Sequence, residues 1–234
     1  MTVPERYTRN LSALSEADCA ALGSAHVAVA GCGGLGGYVI ESLARIGVGH
    51  LRVIDDDAFE ESNLNRQLLS TEGNVGTPKV NAARTRVAAV NSAVEIDALR
   101  ASLAEDNATE LVAGSDCVVD CLDNLQARFW LAHAAGELGV PVVYGAIAGW
   151  FGQACAVFPG DVSFATVYGQ IEGTSAHEEL GNLPSTASVV AAVQSAETVK
   201  VLTGRGEPLR NRLLMVDLLS GTFDEVELAE RKAR

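Results

Sequence analysis

The sequence predicts an α/β fold: a mostly parallel sheet with helices on both faces, ending in an antiparallel C-terminal extension. Three observations predict it. Strand-like and helix-like segments alternate through the first 145 residues, the pattern of parallel strands joined by crossover helices. A glycine-rich stretch, GCGGLGG at 31–37, stands between the first strand and the helix that follows it. After residue 145 the pattern changes to a loosely alternating run, a long helix and two short strands facing each other across a Ser-Gly turn, which suits antiparallel pairing.

The elements follow in order. His26–Ala30 is a short β-rich run. A helical period runs from Leu35 to Ile46 and is stopped by Gly47 and Gly49. Leu51–Ile54 is the next strand and ends in Asp55-Asp56-Asp57. Lys79–Val90 is helical, with Pro78 ahead of it, where a missing N–H costs nothing. Val94–Leu99 is a strand, Cys117–Cys121 a continuous apolar run around Asp120, Leu125–Leu138 a helix, and Val140–Tyr144 a buried-strand pattern. Gly152–Phe158 reads as a strand outside the parallel set. Residues 159–184 lack periodicity, and a loop of that length is a lid, a binding loop or disordered. Ser185–Leu202 is a long helix closed by Gly204, and Leu213–Val216 with Phe223–Leu228 reads as a hairpin across Ser220-Gly221. No repeat or linker divides the chain. The expectation is one domain over 1–234, with its nucleotide-binding part at about 20–145 and an elaborated C-terminal part at about 146–234.

Composition narrows the function. The 234 residues are 48% apolar and carry a net charge of -13. No basic excess exists to neutralise a nucleic-acid backbone, so a nucleic-acid partner is not expected. No stretch approaches the roughly 20 apolar residues of a membrane span, and MTVPERYTRN leads into no signal-peptide core. A cytoplasmic protein without membrane attachment is the expectation. The five cysteines, Cys19, Cys32, Cys117, Cys121 and Cys155, are odd in number and form no Cys-x-x-Cys pair. That argues against a disulfide framework and a zinc site. Cys117 and Cys121 share one face of their strand and read as small buried apolar residues.

Gly31, Gly33 and Gly36 match G-x-G-x-x-G between a strand and a helix. The first glycine turns the chain, the second lets backbone N–H groups approach a phosphate, and the third packs helix on strand, a Rossmann-like arrangement. Asp55 ends the next strand about 20 residues on, where an acid can accept from ribose hydroxyls. Which nucleotide is held stays open on the loop alone. No Gly-Lys-Ser/Thr occurs, and only three lysines exist: Lys79, Lys200 and Lys232. No tyrosine is followed by the x-x-x-Lys of a hydride relay. The four histidines, His26, His50, His133 and His177, are scattered and read as structural or solvated.

A triphosphate held without a lysine-bearing loop needs cations from elsewhere. Ser62-Asn63-Leu64-Asn65-Arg66-Gln67 and Val75-Gly76-Thr77-Pro78-Lys79 follow the acid-tipped strand and should line the same crevice. Arg66 can fork onto phosphate oxygens, and Lys79 supplies a point charge. Asp123, in CLDN, follows the strand Cys117–Cys121. Beside a polyphosphate it needs an intervening cation, and Mg²⁺ is the natural bridge. With Asn124 it equally suits the cap of the helix beginning near Leu125.

GCGGLGG, the strand end IDDD, SNLNRQ, VGTPK and CLDN resemble, in order and spacing, the ubiquitin-activating-enzyme-like superfamily of ThiF/MoeB/HesA type, from about Arg6 to about Leu228. The opening RYTRN is similar to the family's Arg-Tyr-x-Arg signature. The resemblance implies an ATP-dependent adenylyltransferase that activates the C-terminal Gly-Gly carboxylate of a ubiquitin-like sulfur carrier protein and releases pyrophosphate. It also implies a homodimer in which Arg9 reaches the partner's nucleotide. Carried over, Gly31, Gly33, Gly34 and Gly36 cradle the nucleotide and Asp55, with Asp57 nearby, holds its ribose side. Asn63, Arg66, Gln67, Lys79 and Arg9 bind phosphate, and Asp123 holds Mg²⁺. The sequence departs from many relatives in lacking both zinc-binding Cys-x-x-Cys pairs and any cysteine within 159–184, where a thioester-forming cysteine stands. Zinc is therefore not expected, and a covalent cysteine step is in doubt. Three alternatives remain: activation of a tRNA base or small molecule by the same fold, an NAD-dependent oxidoreductase, and a binding protein that has lost catalysis.

Overall fold

The computed structural model describes residues 3–161 and 180–228. Most of the long loop expected at 159–184, with His177, lies outside the described residues. Eight strands form one sheet: β1 (His26–Ala30), β2 (His50–Ile54), β3 (Glu95–Leu99), β4 (Cys117–Asp120), β5 (Val142–Ala148), β6 (Phe151–Val157), β7 (Arg212–Asp217) and β8 (Thr222–Glu227). Their order is β3-β2-β1-β4-β5-β6-β7-β8. The first five are parallel and the last three pair antiparallel. From β1 the chain moves outward to β2 and β3, then returns to lay β4 on the other side of β1. The crevice at such a reversal, beyond the carboxyl ends of the strands, is where ligands bind in this architecture.

Helices α1 (Glu16–Ser24), α2 (Gly36–Ile46), α3 (Lys79–Val90), α4 (Ala108–Val112), α5 (Leu125–Leu138) and α6 (Pro184–Thr203) cover both faces. Alternation along β1 shows why. Val27 and Val29 enter one core with residues of α2, α3 and α6, whereas Ala28 and Ala30 enter a second core with residues of α4 and α5. Cys117 and Cys121 fall together in the first core with Val119, as their spacing predicts. No helix among the described residues is long and apolar enough to cross a membrane.

Several expected ends shift by a residue or two, one strand is longer than expected, and helices α1 and α4 were not expected. β5 runs to Ala148 rather than Tyr144, because Gly145–Ala148 pair with β6 in a tight hairpin turned at Gly149, where φ is 56°. α1 carries little amphipathic period; its start is marked by a capping box between Ser15 and Asp18. α4 has five residues, too few for a period to show.

Candidate active site

The crevice at the switch point has a volume of about 1180 Å³. One wall is the glycine loop. Gly31 has φ 94°, and a Cβ there would meet the carbonyl oxygen of Cys121 at 2.7 Å, so the loops after β1 and β4 touch because residue 31 is glycine. A Cβ on Gly36 would overlap the Gly31 carbonyl, so this residue packs α2 onto β1 and does not line the crevice. Gly33 and Gly34 do line it. No side chain caps α2, whose N-terminus follows directly. Its first-turn amides are the kind of group that accepts an anion.

Asp55 ties the loop to β2. Its carboxylate accepts the Cys32 N–H at 2.7 Å and the Asp57 N–H at 2.9 Å. Burial raises its pKa above the ordinary carboxylate value, against the lowering pull of Lys79 and these N–H groups. Lys79 opens α3 and is only 7% exposed. Its Nζ donates to Asp57 Oδ2 at 2.8 Å. Burial disfavours the ammonium, but the charge of Asp55, the bond to Asp57 and the charge of Asp123 outweigh it and raise the lysine pKa. Lys79 is therefore a buried, charged cation at the crevice wall.

Arg66 stands on the rim, its Nη1 donating to Ser62 O and Asn65 Oδ1, both at 2.9 Å. Gln67 is buried beside Gly33, and its Oε1 has no partner among the described residues. Asn63, expected with these phosphate contacts, is not brought to the crevice. Its Oδ1 accepts the Glu60 N–H at 3.1 Å, closing its own 3₁₀ turn. Arg9 also lies elsewhere, in a pocket of about 370 Å³ with Leu14, Leu43, Ile46 and Val199.

The two readings of CLDN separate. Asn124 is the N-cap of α5, accepting the Ala127 N–H at 3.0 Å. Asp123 lines the crevice as an exposed carboxylate, and no hydrogen bond or ion pair engages it among the described residues. Asp55, Asp56 and Asp57 form the one acidic group of ligand-like spacing among the described residues. There, however, Asp55 is spent on backbone N–H groups and Asp57 on Lys79. A hard divalent cation that keeps its waters and takes one or two carboxylates plus phosphate oxygens fits the unengaged Asp123.

Arg128, not singled out from the sequence, is 5% exposed on α5 and also lines the crevice. The available signal was a lone arginine among the apolar residues of that helix. The cysteines offer no nucleophile here. Burial pushes the Cys117 and Cys155 thiols up to about 12, and those of Cys32 and Cys121 also well above the ordinary value. His26 and His50 stack with ring centroids 4.7 Å apart where β1 and β2 begin, the end away from the crevice.

Residues 7–234 match the ThiF family model. The chain belongs to the ThiF family. It is 38% identical over 209 residues to the SAMP-activating enzyme E1 of Haloferax volcanii, covering 87% of this chain and 76% of that protein. It is 37% identical over 213 residues to the sulfur carrier protein adenylyltransferase of Thermus thermophilus, covering 85% of this chain and 77% of the relative. A crystal structure of E. coli MccB with ATP shares the fold, with a TM-score of 0.84 at 21% identity, over 99% of this chain and 74% of that one. This ThiF-family chain is an adenylyltransferase. That sets aside the hydride-transfer alternative, which the glycine loop alone had left open.

Proposed function

We propose that this enzyme uses ATP and Mg²⁺ to adenylate the C-terminal Gly-Gly carboxylate of a ubiquitin-like sulfur carrier protein. It works as a homodimer and forms no thioester on its long loop. The observation that carries the reading is the convergence of Arg66, Lys79 and the unengaged Asp123 on one crevice beside a glycine loop that has no lysine. Names of the relatives support the substrate class: one is a sulfur carrier protein adenylyltransferase.

Glycine-loop amides and the N-terminus of α2 receive the phosphates, while Arg66 and Lys79 balance their charge. An oxygen of the carrier's carboxylate attacks the α-phosphorus. The new P–O bond forms as the bond to the β-phosphate oxygen breaks, and the electron pair leaves with pyrophosphate. No general base is required, because a carboxylate is ionised at neutral pH. The protein aligns the reactants and stabilises charge on the five-coordinate phosphorus. Asp123 would hold Mg²⁺, which when bound would supply positive charge against the polyphosphate. Because residues 159–184 contain no cysteine, the acyl-adenylate is the product handed on.

ATP–pyrophosphate exchange tests the reading. It should require both Mg²⁺ and a carrier ending in Gly-Gly, and vanish when the terminal glycine is removed. Exchange that proceeds equally with the truncated carrier would reject the substrate assignment.

A further inference from the structure

We infer that Arg128 is a positioning residue of the adenylation site: it locks the turn that presents Asp123 and cancels the buried charge of Asp120 beside it. The inference rests on the reading of Asp123 as the metal-holding carboxylate.

The geometry is that of a clamp. Arg128 Nη1 donates to Gly145 O of β5 at 2.9 Å and lies 3.4 Å from Asp120 Oδ2 of β4. Its Nη2 donates to Leu122 O. The guanidinium lies 4.9 Å from the centroid of the Tyr144 ring. One planar fork thus joins α5, β4, β5 and the turn between β4 and α5. Leu122, the residue before Asp123, is fixed at both peptide groups: its N–H donates to Asp120 Oδ1 at 3.0 Å and its carbonyl is taken by Arg128. Asn124, the residue after, is fixed as the helix cap. Asp123 stands between two pinned neighbours with its own carboxylate unspent, so little ordering is left to do when a cation arrives.

The charges argue the same way. Asp120 is 1% exposed, three residues from Asp123, at the carboxyl end of β4 where phosphates would lie. A bare carboxylate there would repel them and compete for the cation. Paired with Arg128 it does neither, and Asp123 remains the carboxylate of the turn without an ion pair or hydrogen bond among the described residues. Lysine cannot replace this arrangement, since one ammonium cannot reach three acceptors on three elements in a fixed plane.

Mn²⁺ binding to the full-length enzyme saturated with a non-hydrolysable ATP analogue, followed by loss of the free-Mn²⁺ EPR signal, tests the inference. Arg128→Lys should keep the far-UV circular dichroism and metal-free analogue binding of the wild type. Its Mn²⁺ affinity should fall roughly ten- to a hundredfold, the usual consequence of losing a group that orients a ligand. Asp120→Asn keeps an acceptor for the Leu122 N–H while leaving Arg128 uncompensated. It should weaken Mn²⁺ severalfold, and it serves where Arg128→Lys does not fold. Wild-type Mn²⁺ affinity in a folded Arg128→Lys or in Asp120→Asn overturns the inference. Asp123→Ala separates the two levels. If it binds Mn²⁺ normally, the reading of Asp123 fails and the inference falls with it. If it loses Mn²⁺ while the other variants do not, only the role of Arg128 is wrong.

Discussion

Lys79 Nζ sits 2.8 Å from Asp57 Oδ2, with the lysine buried and the aspartate side chain 66% exposed. The cation is held at the crevice wall by groups that remain partly solvated, so an incoming phosphate can share it without first uncovering it.

Lys79→Met should lower adenylation by the loss of one charge-assisted bond, about 1.5–3 kcal/mol, or roughly ten- to a hundredfold in rate. Stability should change with a definite sign. Asp55 has a raised folded pKa, so its contribution is present below the unfolded value of 3.8 and lost as pH rises through the folded value. Lys79 opposes that loss. The variant should therefore melt at increasingly lower temperature than wild type as pH is raised from acid toward neutrality. A constant difference across the range would contradict this.

Gly34 and Gly36 should separate binding from packing. A Cβ at Gly34 approaches other atoms no closer than 4.0 Å. Gly34→Ala should fold normally and bind ATP more weakly, because the methyl stands in the crevice. Gly36→Ala drives its methyl into the Gly31 carbonyl and should destabilise the whole chain. Thermal melts and nucleotide titration of both variants check the pair.

Acid should loosen α1. The backbone N–H and hydroxyl of Ser15, followed by Arg205, hold the Asp18 carboxylate at about 2, below its ordinary 3.8. A lowered carboxylate pKa gives stability that is present above 3.8 and lost as pH falls through about 2. Ser15→Ala should move the Asp18 titration, read by NMR, toward 3.8 and narrow that window.

Arg9 lies outside its own chain's crevice, as a residue serving a partner would. On the proposed homodimer, with Arg9 acting in trans, the Arg9→Ala and Asp123→Ala variants should each be inactive. Mixing them under exchange conditions should restore activity, because one heterodimer site carries neither lesion. No recovery would place Arg9 outside catalysis in trans.

Much of this fold was legible because local rules and tertiary context agree. His26–Ala30, Lys79–Val90 and Leu125–Leu138 keep their expected bounds, with Gly31 after the first, Pro78 before the second, and Asn124 and Gly139 on either side of the third. α1 was hidden because its apolar residues follow no stripe, and the end of β5 because Gly145 reads as a breaker. The structure shows what removes that objection: Gln194 of α6 occupies the space that a Cβ at residue 145 would need. In the site, Arg66 and Lys79 could be recognised as charges needing a purpose on an acidic chain. Asn63 could not be assigned, since an amide that closes its own turn looks the same in sequence as one aimed at a ligand. Arg128 stands out in sequence only as a lone arginine in an apolar helix; its role was not legible, because its acceptors at Asp120, Leu122 and Gly145 come together only once α5 folds back over β4 and β5.

Calorimetric titration with ATP and with AMP, each with Mg²⁺, tests most directly whether Arg66 and Lys79 neutralise the polyphosphate. Wild type should bind ATP far more tightly than AMP, and the Arg66→Ala/Lys79→Ala double variant should lose most of that preference while binding AMP as before. A double variant that keeps the full preference for the triphosphate would contradict the account.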